Sequence, residues 1–405
     1  MAKIKKRNIL FLTPRYPYPM IGGDRLKSFN LLKHLSSYHD VTLVTFYQGK
    51  GEYPPEEHIE EVKKHGIDLH IIPLHPVKAG MSILFKYLFK YPLEIGYYYQ
   101  PEFSNKVNEL IEKKNFDLSI AFFMRTAEYI KHQSFKKILM SEDCRRLYQK
   151  RSFEKSTNII QKAVRWWEHR MLRKYEPDLA DHFDVTTLVT HEDIIAMKEK
   201  NANANYALLS NGVDIDLYIP QSFTKKENFL LFTGKLDLWA NYLMIRTIIK
   251  EILPKVREKL PETKLKIVGA NPSKAIMSFQ NEYIEVHANV PSLVPYLQKA
   301  AVFIHPHQGG SGIQNKLLEA MSCGAPVVTS PTGIQGIEAI HGKDIMIGKN
   351  SDEMVEHIIK LMTDKKFAGM IGKNARQLMV DTHSWQSIFN DIDNLIKSLF
   401  DNEEK

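Results

Sequence analysis

Lys316 and Glu319 stand one helical turn apart, just beyond the glycine-rich run Gly309-Gly310-Ser311-Gly312. The segment around them reads as a buried strand (Ala301–His305), a glycine loop, and a helix that starts near Ile313–Asn315. A helix start turns free N–H groups toward the preceding loop. Lys316 in the first turn opposes the helix dipole by roughly a few tenths of a kcal/mol, a cost that makes sense beside a bound anion. Glu319 follows among Leu317, Leu318, Ala320 and Met321, and a carboxylate that accepts two hydrogen bonds at once suits adjacent ribose hydroxyls. Gly312, Gln314 and Asn315 line the start of this helix. Lys235, directly after the strand-end glycine of Phe232-Thr233-Gly234, adds a second cation, although a lone lysine at such a point is ordinarily a surface residue.

Ligands of open parallel α/β sheets bind beyond the carboxyl ends of the strands, so the other strand ends carry weight too. Gly22-Gly23, followed by Asp24-Arg25 and a helix pattern, lets backbone approach an anion, and reads equally as a tight strand-to-helix turn. Gly269 and Val290 follow the second and third strands of the C-terminal half. Pro331-Thr332-Gly333 follows Pro326–Ser330 and offers backbone amides on the same edge. In the first half, Arg125 follows Phe116–Phe122, and Glu142-Asp143 follow Met140; both suit the handling of an acceptor. No Gly-x-Gly-x-x-Gly and no Gly-x-x-x-x-Gly-Lys-Ser/Thr is present, which argues against dinucleotide-dependent oxidoreductases and P-loop NTPases. Two Asp-x-Asp strings, Asp214-Ile215-Asp216 and Asp391-Ile392-Asp393, fall at a junction and in a terminal helix, and are read as structural rather than as a metal site.

The elements that must position these residues are short β-branched runs alternating with amphipathic segments. The runs are Asn8–Thr13, Asp40–Phe46, Asp68–Pro73, Phe116–Phe122, Lys136–Met140 and Val185–Thr190, then Asn228–Thr233, Lys264–Gly269, Ile284–His287, Ala301–His305, Pro326–Ser330 and Asp344–Ile347. Helical patterns lie between them, among others at Arg25–Ser36, Asn241–Leu260, Asn315–Cys323 and Ser351–Leu361. Two such series predict an α/β chain of two doubly wound, Rossmann-like domains. The 405 residues suffice for two cores. The turn Ser210-Asn211-Gly212-Val213-Asp214 marks the boundary. The expected division is 1–210, 211–380, and a terminal segment 381–405 whose helix Trp385–Phe400 packs back on the first domain.

Two cysteines, Cys144 and Cys323, with no partners at zinc spacing fit a reducing cytoplasm. No secretory signal is evident, and the apolar stretch Met81–Tyr99 is interrupted by Lys86, Lys90, Pro92 and Glu94. The net charge of +8 arises in the first half, where residues 1–200 hold 33 basic and 25 acidic side chains. Lys131–Lys174 alone holds 13 basic and 4 acidic residues. This suits a solvated face, an anionic membrane surface or nucleic acid. The aromatic, basic segments Ile83–Tyr91 and Arg165–Arg170 suit an anionic inner leaflet, which would put a cytoplasmic protein at the inner face of the cell membrane.

The run Asn315-Lys316-Leu317-Leu318-Glu319-Ala320-Met321-Ser322-Cys323-Gly324-Ala325-Pro326-Val327-Val328 resembles the donor-binding core of family 4 glycosyltransferases of the GT-B fold. It is closest to the subgroup tied to exopolysaccharide and surface-glycan synthesis. Asn211-Gly212-Val213-Asp214, Phe232-Thr233-Gly234-Lys235, Ile267-Val268-Gly269, Gly22-Gly23 and the Trp385 helix resemble further parts of that family. The resemblance implies two Rossmann-like domains facing a central cleft, and retaining transfer of a sugar from a nucleotide-diphosphate donor to a glycan or lipid-linked acceptor. It implies no metal, no cofactor and no nucleic-acid partner. Lys235 and Lys316 would stabilise the leaving diphosphate and Arg125 would orient the acceptor. Gly22, Gly23, Arg25, Gly269, Val290, Gly312, Gln314, Asn315, Glu319, Thr332 and Gly333 would complete the donor site. Two departures stand out: Ser311 replaces the family's glutamate eight residues before Glu319, and Asn241 replaces its second phosphate-binding lysine. A catalytically inactive relative acting as a partner protein and a nucleotide-sugar epimerase are the alternatives.

Overall fold

The structure is a computed structural model that describes residues 5–156, 158–309 and 312–401. Ser311 lies outside the described residues. The chain divides into two compact units, Met1–Leu209 with Phe389–Lys405, and Ser210–Ile388.

The first unit is built on a parallel sheet of seven strands: β1 (Asn8–Thr13), β2 (Asp40–Tyr47), β3 (Asp68–Pro73), β4 (Leu118–Phe122), β5 (Lys136–Glu142), β6 (Val185–Leu188) and β7 (Tyr206–Leu208). Its order is β3-β2-β1-β4-β5-β6-β7. The central strands are continuous apolar runs because helices cover both faces; Ile9, Leu10, Phe11 and Leu12 are all fully buried. β7 was not among the strands expected from the sequence. It has three residues, sits at the edge and is partly exposed, so it lacks the apolar run that marks its neighbours.

In the second unit β8 (Glu227–Lys235), β9 (Lys264–Ala270), β10 (Ile284–Ala288), β11 (Ala300–His305), β12 (Val327–Thr329) and β13 (Met346–Ile347) form a parallel sheet of order β10-β9-β8-β11-β12-β13. Each sheet therefore reverses its winding once, between β1 and β4 and between β8 and β11. Those are the points where helices diverge to opposite faces and leave a crevice. The helical pattern over 241–260 is not one helix: it runs as Trp239–Thr247, a π turn at Ile248–Ile252, and Leu253–Lys259. Pro254 supplies no N–H for a continuous ladder, which accounts for the break.

The junction is fixed by close approach. A Cβ on Gly212 would lie 2.4 Å from the Trp385 ring, and the Val213 amide donates to His383 O at 2.8 Å. Farther along the terminal helix, Phe389 stacks on His34 at 4.3 Å and Asp393 accepts from or pairs with His34 at 2.9 Å, within the first unit. Asp214 Oδ1 accepts the amides of Asp216 and Leu217 at 3.1 and 2.9 Å. Both Asp-x-Asp strings thus have structural tasks.

One buried ion pair ties the first unit together. Lys27 Nζ, on the helix after β1, donates to both Glu142 oxygens at 2.8 and 3.1 Å and to Leu209 O at 2.8 Å. Burial pushes the Lys27 pKa down and the Glu142 pKa up, and each partner opposes the shift of the other. Removing one member strands the other charge in the core. Lys27→Met is therefore expected to cost about 3–5 kcal/mol of stability, and Lys27→Met/Glu142→Gln to recover part of it. Urea denaturation checks this; a Lys27→Met loss within about 1 kcal/mol would refute the role.

Candidate functional site

At the β8/β11 reversal the second unit brings together residues that are far apart in sequence. Gln314 precedes the helix Asn315–Ser322 and, among the described residues, gives it no side-chain cap, while the Leu317 amide donates to Gln314 O at 2.8 Å. Gly312 turns the loop into it with φ 75°, a left-handed conformation that favours glycine. Asn315 is held from behind, its Oδ1 accepting Asn211 Nδ2 at 2.9 Å.

Lys316 folds back across the sheet edge. Its Nζ donates to Asn241 Oδ1 at 2.8 Å and lies 4.9 Å from the centre of the Phe232 ring. Asn241 Nδ2 in turn donates to Lys235 O at 2.7 Å. Among the described residues no carboxylate lies within ion-pair distance of the Lys316 ammonium. Burial brings the Lys316 pKa down to about 8, and Glu319 counters this. Gly234 leaves the space: a Cβ there would lie 2.8 Å from Asn241 Nδ2 and 3.1 Å from Lys316 Nζ. Asn241 thus anchors a lysine supplied by another helix.

Burial pushes Glu319 up to about 7, while Lys316 and the hydroxyl of Tyr218, which donates to the carboxylate, pull it down. Tyr218 comes from the junction, where its amide donates to Asp214 O at 2.9 Å. It was absent from the sequence expectations because a polar turn with one tyrosine gives no periodic signal.

Lys235 ends β8 with an exposed side chain that has no ion-pair partner among the described residues. His305, at the end of β11, is fully buried, with Nδ1 3.2 Å from Thr329 Oγ1, Nε2 unsatisfied, and its ring stacked 5.3 Å from His307. Burial, then Lys316 and His307, hold His305 well below its ordinary pKa, so it is a neutral side chain. The motif His305-Pro306-His307 was the available signal for this pair.

The remaining expected residues have more particular settings. Gly269 packs against β8, where a Cβ would meet Gly234 O at 1.8 Å, so its smallness serves the sheet edge. Val290 rests on the hydrophobic core of its unit. The Gly333 amide is already engaged by Ser330 at 3.0 Å, and a Cβ at Gly333 would lie 2.9 Å from His305 Nδ1. Gly333 therefore brings its loop against the histidines by lacking a side chain, and Thr332 beside it is partly exposed.

In the first unit, Gly22 takes φ 107° and precedes the helix Gly23–Ser36 without a side-chain cap. Thr13, Arg15, Asp24, Arg25, Ser28 and Phe122 line a small depression at the β1/β4 reversal. Arg15 pairs with Asp24 at 3.1 Å, whereas Arg25 has no ion-pair partner among the described residues. Arg125 is not a free side chain. It binds Glu94 at 3.0 Å, as does Arg145, and the two guanidinium groups keep Glu94 ionised against its burial.

Residues 227–364 match the glycosyl transferases group 1 family. The chain is similar to an uncharacterised 44.6 kDa protein of the cps region of Klebsiella pneumoniae, 22% identical over 95% of this chain and 98% of that one. It is also similar to an uncharacterised glycosyltransferase of Methanocaldococcus jannaschii, 23% identical over 95% and 96%. Among solved structures, Anabaena HepE in complex with UDP and glucose superposes with a TM-score of 0.65 at 14% identity, over 97% of this chain and 100% of that chain. The chain thus has two Rossmann-like α/β units of the GT-B fold, and residues 227–364 within its second unit are similar to the glycosyl transferases group 1 family.

Proposed function

We propose that this protein is a glycosyltransferase that moves a sugar from a nucleotide-diphosphate donor to a glycan or lipid-linked acceptor, with retention of configuration and without a metal. The observation that carries this reading is the half-buried Lys316 ammonium, which lies in the first turn of a helix without a side-chain cap and, among the described residues, has an amide oxygen and a ring as neighbours and no carboxylate within ion-pair distance. A cation held at a sheet edge by a neutral amide suits a bound anion. On this reading Glu319, one turn on, accepts hydrogen bonds from a ribose. The Anabaena neighbour in complex with UDP and glucose supports the same class of donor.

As the bond from sugar carbon to phosphate oxygen breaks, negative charge grows on the departing diphosphate. On this reading Lys316, Lys235 and the helix start at Asn315 are preorganised to meet it, so little reorganisation accompanies the step. Neutral His305, closed in by Gly333, fills the floor beneath the loop and keeps the edge dry. On this reading the leaving phosphate helps to take the proton of the attacking hydroxyl, and Arg125, held by Glu94, orients the acceptor from the first unit.

Lys316→Ala and Lys235→Ala are each expected to lower kcat by roughly 10²-fold or more, read from steady-state turnover of a nucleotide sugar identified by thermal-shift screening. Wild-type turnover in either variant would remove that residue from the mechanism. Because the Lys316 pKa is lowered to about 8, the cation is lost as pH rises through that value. UDP affinity measured by titration calorimetry should therefore fall above pH 8, and Lys316→Ala should flatten that limb. EDTA should leave activity intact; full loss restored by Mn²⁺ would point to a metal-assisted step.

A further inference from the structure

The first unit carries an apolar surface that its core does not use. Pro76–Ser82 is α-helical and Ile83–Tyr87 continues as a π turn. Val77, Met81, Phe85 and Phe89 recur along this segment at four-residue spacing. A four-residue step drifts around an α-helix, and the wider i→i+5 turn of the π stretch offsets the drift, so the four fall along one side. Val77 is 77% exposed and Phe85 and Phe89 are each 79% exposed. Tyr87 and Tyr91 point elsewhere, into an aromatic cluster with Tyr99.

A second element extends the surface. On the helix Ile159–Ala180, Ile160, Val164 and Trp167 follow at i, i+4 and i+7. The ring of Phe89 meets that of Trp167 edge-on at 5.5 Å, which joins the two segments. Ile159 and Ile160, at the free end of this helix, are 83% and 76% exposed. Cations flank the apolar side chains. Lys90 is exposed beside Tyr91, and Lys162, Arg170, Arg173 and Lys174 are exposed on the second helix, whose only exposed acid among the described residues is Asp178. Glu168 and Glu176 on the same helix are buried, engaged by the amides of Leu93 and of Arg145 and Arg146.

We propose that this surface docks on an anionic lipid bilayer, with Phe85, Phe89, Ile159 and Ile160 entering the acyl boundary and Lys90, Lys162 and Arg170 meeting the headgroups. Apolar tips flanked mainly by cations suit an interface of hydrocarbon beneath anionic groups. No helix among the described residues is long and apolar enough to cross a membrane, so the contact lies on the bilayer and not through it. The inference goes beyond glycosyl transfer and does not rest on it.

Flotation of the full chain with phosphatidylglycerol/phosphatidylcholine vesicles, and with phosphatidylcholine alone, tests the proposal. Binding to the anionic vesicles at low salt, weakened by 0.5 M salt and absent from the neutral ones, is expected. Phe85→Asp/Phe89→Asp should lower partitioning at least about tenfold with an unchanged melting temperature and unchanged UDP binding, since both side chains are exposed. Lys162→Glu/Arg170→Glu should bring the same loss on anionic vesicles at low salt. Absence of binding to anionic vesicles, wild-type binding by both variants, or a dimer in size exclusion that Phe85→Asp/Phe89→Asp dissolves without any vesicle binding would each overturn it. UDP binding is scored separately, so failure of docking and failure of the glycosyltransferase reading are told apart.

Discussion

The half-buried Lys316 ammonium, held by an amide oxygen with no carboxylate within ion-pair distance among the described residues, is the constraint around which the second unit's sheet edge is arranged. Lys316 reaches Asn241 at 2.8 Å, and Asn241 is itself fixed to the backbone at Lys235. That bridge sets the space at Gly234, where a Cβ would press on both side chains. It also joins the ends of β8 and the helix after β11, the two elements that flank the reversal of the sheet. An unpaired charge in such a place costs stability, and a protein keeps it where the charge has a use when a ligand arrives.

Charges in the first unit behave differently, and the contrast is informative. Lys27 and Glu142 satisfy each other in the core, and Leu209 O accepts a further hydrogen bond from the ammonium. Arg125 and Arg145 share Glu94. These groups hold β5, the helix after β1 and the segment after β4 in place. Arg25, beside the Gly22 turn, is the cation at the β1/β4 reversal that this pairing leaves over. Paired charges such as these brace the first unit, while among the described residues Arg25 in the first unit and Lys316 in the second stand at a sheet reversal with no ion-pair partner.

The same rule separates the tyrosines from the phenylalanines near residue 85. Tyr87, Tyr91 and Tyr99 are taken up by one another in the interior, while Phe85 and Phe89 stay at the surface. Composition counts all of these as aromatic, and only packing tells which of them the core consumes. That core is already complete without the exposed side chains, with Phe46, Phe103 and Tyr129 stacked at its centre.

Local pattern was enough for much of the molecule. Parallel strands buried on both faces must be apolar runs, so twelve of the thirteen strands were legible, and β7, short and at an edge, was not. Lys316 and Glu319 were legible because one helical turn relates them. What Lys316 binds was not, since Asn241 lies 75 residues away and only the parallel sheet carries the two helices to one edge. Tyr218 beneath Glu319, the buried His305, and the capture of Arg125 by Glu94 were hidden for the same reason. Spacing along the chain dictates backbone period and which residues share a face. Whether a charge finds a partner depends on what crosses from another strand, and that is decided only when the sheet is assembled.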